Sequence, residues 1–148
     1  MKVVVWIVEG TWRACVRAAR DLVPADAELV LLHVTGIDIP GAAHGAFAGL
    51  LGRGHPERDP GDEVERLAGT AGEELLRMAA AELRRPSTLL SVFGRADHEV
   101  VAAAEAADLL VLSRDGDRLG PKSFGPATRF VVDHAPCPVL LVRPDVRR

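Results

Sequence analysis

The sequence predicts an α/β fold built on one doubly wound parallel sheet, and three observations carry that expectation. Five short apolar runs recur along the 148 residues: Val3–Val8, Leu29–Val34, Thr88–Phe93, Leu109–Leu112 and Val139–Val142. Each run is continuous rather than alternating, which suits a strand covered on both faces. Segments of helical periodicity separate them, and alternation of this kind implies parallel strands joined by right-handed crossovers.

Taken in order, the first run reads as a buried strand leading to Glu9-Gly10-Thr11. Behind Thr11, a candidate cap, Trp12, Cys15, Val16, Ala19 and Val23 follow the i, i+3, i+4, i+7, i+11 pattern of a helix with one buried face. After the second strand, residues 36–62 are rich in glycine and proline with little periodicity, which predicts a long variable loop. Val64, Leu67, Ala68, Ala71, Leu75, Met78 and Ala79 mark the core face of a longer second helix, ended before Arg85-Pro86. A third helix is predicted over Asp97–Ala106 with Asp97 as N-cap, and a fourth over Pro126–His134, stopped by Ala135-Pro136.

With 48% hydrophobic and 26% charged residues, the chain has the composition of a soluble globular domain, and its length suits one domain over 1–148. The net charge of −3 supplies no basic field for nucleic acid or an anionic membrane. Cys15 and Cys137 stand far apart without metal-ligand spacing and read as free thiols. The opening MKVVVWIVEG holds an apolar run too short for a secretory signal or a membrane span, so a cytoplasmic location is expected.

In an open parallel sheet, ligands bind beyond the carboxyl ends of the strands, where chain order reverses. Glu9, Gly10 and Thr11 follow the first strand there, Val34 ends the second, and SRDGDRLGPKSFG (residues 113–125) follows the fourth. This last loop joins glycines to Arg114, Arg118 and Lys122 directly before a helix, whose N–H groups and dipole suit an anion. Glu9, Gly10, Thr11, Val34, Arg114, Gly116, Lys122 and Gly125 therefore form a candidate nucleotide crevice. GDRLGPKS at 116–123 approaches a P-loop, but its glycine spacing is wrong, Pro121 precedes the lysine, and it follows the fourth strand. A phosphoacceptor receiver is excluded because the third strand ends Phe93-Gly94, without an aspartate. The five histidines form no HxxxH or HxH pair, and His33 inside the second strand reads as a packing residue. No metal site and no nucleophile-base constellation emerges from spacing.

HAPCPVLLVRP at 134–144 resembles the C-terminal end of universal stress proteins, as do VEGT at 8–11, LLHV at 31–34 and DLLVLSRDG at 108–116. The resemblance runs through the chain in order, apart from 36–62. It implies a Rossmann-like sheet of the adenine nucleotide alpha hydrolase type, strand order 3-2-1-4-5, homodimerisation and, in one branch, binding of ATP with magnesium. That branch carries G-x2-G-x9-G-[ST] before the last helix. Counted back from HAPCP, its third glycine falls on Gly125, but Leu112 and Asp115 stand at the first two and Pro126 at the hydroxyl position. Pro126 offers no N–H or hydroxyl, and Asp115 brings a carboxylate to where phosphate oxygens would lie. Glu9 stands in for the branch's aspartate after the first strand. The expectation is a small dimeric stress-response or regulatory protein of the non-ATP-binding branch, not an enzyme. The alternative places ATP or another adenine nucleotide between strands one and four. Dimerisation is expected through Val139, Leu140, Leu141 and Val142, which would otherwise leave an open sheet edge. A further protein partner is left open.

Overall fold

A computed structural model describes residues 1–36, 60–115 and 124–144. The elements are β1 (Lys2–Trp6), α1 (Trp12–Leu22), β2 (Glu28–Gly36), α2 (Pro60–Leu83), β3 (Thr88–Gly94), α3 (Ala96–Ala104), β4 (Leu109–Ser113), α4 (Pro126–His134) and β5 (Val139–Val142). All strand pairs are parallel, in the order β3-β2-β1-β4-β5 that the resemblance implies. Nearly all of the predicted long loop 36–62 lies outside the described residues. Among the described residues, no helix is long and apolar enough to cross a membrane.

Alternation along the central strands divides the core into two layers. Val3, Val5, Ile7, Leu29, Leu31 and Val111 turn toward α1 and α2. Val4, Trp6, Val30, Leu32, Leu110 and Leu112 turn toward α3 and α4. β1 is buried from Val3 onward because it is flanked on both sides and both faces. Its expected apolar run is corrected at one end: Ile7 is buried, but Val8 is 37% exposed where the chain leaves the sheet. Trp12, Cys15, Val16, Ala19 and Val23 of the first helical segment are all buried, as their spacing predicts.

Two helices differ from the sequence expectation. On α2 the buried stripe is Gly72, Leu76, Ala79 and Leu83, while Leu67 and Met78 face outward. The cause is close docking at Gly72, where a Cβ would lie 2.6 Å from His33 Cδ2. A larger residue could not approach β2 there, so the buried stripe runs through Gly72, while Leu75 and Ala79 of the expected face still pack on the core. On α3 the N-cap is Arg95 rather than Asp97. Asp97 lies inside the first turn, where Oδ1 accepts from its neighbour's His98 N–H at 2.8 Å and Oδ2 from Arg95 at 3.2 Å.

The two sheet edges are unequal. Residues of β5 are half-buried, Val139 and Leu141 against one core layer and Leu140 and Val142 against the other. On β3, by contrast, Leu89, Leu90 and Phe93 are about 40% exposed, so this apolar run is not covered on both faces as its continuity suggested.

Candidate functional site

After β1 the chain reverses tightly, with the Val8 carbonyl accepting from the N–H groups of Thr11 at 3.2 Å and Trp12 at 3.0 Å. The reversal needs φ +90° at Gly10, a conformation that side chains with a Cβ rarely adopt. Thr11 is the N-cap of α1 but makes no side-chain capping bond. Glu9 and Gly10 stand beside Val34, and the three open on a cavity of about 660 Å³ bounded by the turn after β1, by β2, α1 and α2.

The structure therefore brings Glu9, Gly10 and Val34 to one cavity, although Val34 belongs to the core layer that faces α3 and α4. Gly125 lies apart from them, at the N-cap of α4. Gly116, Arg118 and Lys122 fall outside the described residues. Arg114 extends the β4–β5 pairing through its N–H to the Val142 carbonyl at 2.9 Å, and its guanidinium lies 4.6 Å from the centre of the Phe124 ring.

The start of α4 is held by Asp115. One carboxylate oxygen accepts from the Gly125 N–H, and the other accepts from the buried Thr128 hydroxyl at 3.0 Å. Pro126 at the first helical turn has no N–H to offer, so α4 lacks a cap from its own N-terminal residues and takes one from ten residues upstream. The dipole and N–H groups that could attract a phosphate already face a carboxylate of the chain itself. A side chain at Gly125 would run into Asp115 Oδ2, so that position must remain glycine while this arrangement stands.

Thr35 is a residue that the sequence reading passed over, while His33, read there as a packing residue, docks against α2 at Gly72. Both line the cavity beside Gly72. Their signal lay in the strand's alternation: Leu29 and Leu31 face α1 and α2, so His33 and Thr35 continue that face with polar groups. His33 Nδ1 is 2.9 Å from the Ile7 carbonyl. Among the described residues, no group of His, Cys, Asp and Glu is arranged to hold a metal ion. Cys15 and Cys137 are free, and burial pushes the Cys15 thiol up to about 12.

The sequence profile of the Universal stress protein family matches residues 1–143. The fold is similar to UspA from Lactobacillus plantarum, with 22% identity, TM-score 0.61 and 97% of each chain covered. It is also similar to a universal stress protein family protein from Arabidopsis thaliana with AMP bound, with 20% identity, TM-score 0.61, and 98% of this chain and 92% of that one covered. A universal stress protein in complex with cAMP shares 20% identity at TM-score 0.61, covering 97% of this chain and 96% of the other. At these identities the likenesses establish the fold alone. No curated protein matches the chain. The family match across nearly the whole length, on this strand order, places the chain in the universal stress protein family.

Proposed function

We propose that the chain is a universal stress protein of the branch that works without ATP, a small regulatory protein of the stress response acting through dimerisation and protein contacts rather than by catalysis. The observation that carries this reading is the Asp115 carboxylate at the start of α4, engaged by both the Gly125 N–H and the Thr128 hydroxyl. Magnesium-bound ATP does not fit that arrangement. Its phosphate oxygens would need the donors Asp115 already uses, and would meet a like charge in a partly screened cleft. Displacing Asp115 would cost hydrogen bonds to an ionised group, worth about 1.5–3 kcal/mol each.

A second reading draws on the neighbours with AMP and cAMP: an adenine nucleotide held between β1 and β4, with Glu9 toward its adenosine end. One experiment separates the two. Protein purified under native conditions is precipitated with acid, and the supernatant is analysed for adenine nucleotides by chromatography. The first reading expects none above background, whereas AMP, cAMP or ATP recovered in proportion to protein would establish the second.

A further inference from the structure

The outer edge of β5 is flanked by exposed apolar side chains on both faces of the sheet. On one face, α3 lies over β1 and β2 and packs along one flank of α4, where the His98 and Phe130 rings stack with centres 5.2 Å apart. Thr128 and Val131 turn the buried side of α4 to the sheet. At about 3.6 residues per turn, Val132 and Arg129 then fall on the flank away from α3, above the open edge of β5. Val132 is accordingly 37% exposed. On the other face, α1 lies over β4 and β5 and is tied to α2 along one flank by Arg13 and Arg20, which reach Glu82. Its opposite flank carries Leu22, 68% exposed.

On α4 this flank also carries opposite charges one turn apart. Phe124, Arg129, Val132 and Asp133 surround a shallow hollow of about 120 Å³. Neither the Arg129 nor the Asp133 side chain makes a hydrogen bond or ion pair with a described residue. A two-fold axis normal to the sheet, between two antiparallel β5 strands, would set α4 of each copy against α4 of the other, running in opposite directions. The helix shares its core layer with Leu110 and Leu112 of β4 and with Val139 and Leu141 of β5. Seated over that pair of strands, the two helices would lie roughly 10 Å apart, a packing distance. Nine residues of α4 and four of β5 have similar lengths, so an axis through the middle of β5 passes near the middle of α4, between Arg129 and Asp133.

We propose that the outer flank of α4 is the surface by which this chain selects a second copy of itself, Arg129 of each copy pairing with Asp133 of the other around Val132. This rests on dimerisation at the β5 edge and adds what decides the partner. Strand pairing engages only backbone groups, whereas a pair of opposite charges repeated about a two-fold axis is complementary to itself. Sedimentation at tens of micromolar tests it on the wild type, on Arg129→Glu, on Asp133→Arg and on an equal mixture of the two variants. Both positions are exposed, and circular dichroism verifies that each variant is folded. Each variant alone opposes like charges in its homodimer and should raise the dissociation constant at least tenfold. The mixture should recover the dimer, because each variant supplies the charge that the other lacks; an ion pair within one helix could not produce that recovery. A wild type that is monomeric throughout would remove the dimer on which the proposal rests. A dimeric wild type whose single variants associate equally well, or whose mixed variants stay monomeric, would overturn the role of α4 alone.

Discussion

Asp115, Thr35 and Cys15 show how a single residue sets what each part of the molecule can do. The mismatch of Asp115 and Pro126 with an ATP-binding loop is visible in the sequence. The carboxylate's partners are not, because Thr128 lies 13 residues further along and meets it only once β4 and α4 are in place. Thr35 was equally hidden, since its lack of a partner depends on how closely α2 docks. Replacing it with valine removes an unpaired buried hydroxyl at nearly constant volume, so the protein should gain about 1 kcal/mol. Urea unfolding checks this, and a loss of similar size would show that the hydroxyl is bonded after all. Cys15 predicts a pH dependence. Burial raises its thiol from 9.0 to about 12, so the folded chain keeps a proton that the unfolded chain has already lost. The resulting stability is whole below pH 9 and is lost as pH climbs toward 12, by up to about 4 kcal/mol. The urea midpoint should therefore fall across that interval in the wild type and fall less steeply in Cys15→Ala; identical slopes would contradict the assignment.

Among the elements, those whose boundaries rest on local chemistry were the most legible. Pro126 starts α4 and Ala135-Pro136 stops it, and the helix runs Pro126–His134 as read from the chain. β5 likewise spans Val139–Val142. What local pattern could not supply was the place of Gly72 in the buried stripe of α2, which its contact with His33 fixes. Nor could it supply the cap of α3, because Arg95 already has the extended backbone of an N-cap and places Asp97 within the helix. The end of α1 depends on an equally distant residue. Arg85 donates to the carbonyls of Ala19 and Val23 at 3.0 Å each and to Pro24, so one guanidinium ties the end of the helix to the turn that follows it. Arg85→Ala should therefore destabilise the protein by about 2 kcal/mol, and Arg85→Lys should recover only part of it. Denaturant melts of the three proteins check this, and an alanine variant as stable as the wild type would contradict it.

For the whole molecule, continuous apolar runs separated by helical segments were enough to predict a parallel sheet, but its edges behave in ways the runs do not reveal. The proposed dimer uses β5. The carbonyls of Pro138 and Val142 accept from β4, so alternation turns the backbone of Val139 and Leu141 outward, toward a partner strand. Leu141→Pro should remove an outward donor while sparing the inner ladder, and convert a dimer to a monomer in sedimentation. A wild type that is monomeric at tens of micromolar would refute the dimer, and a folded variant that remains dimeric would move the interface, with the apolar edge at Leu89, Leu90 and Phe93 the next surface to examine. The central claim is that the chain's own carboxylate holds the place a phosphate would need. Calorimetric titration of magnesium-ATP into the wild type and Asp115→Gly, side by side, tests it most directly. The account predicts no measurable heat from the wild type and weak saturable binding once the carboxylate is gone. Micromolar binding by the wild type would contradict it.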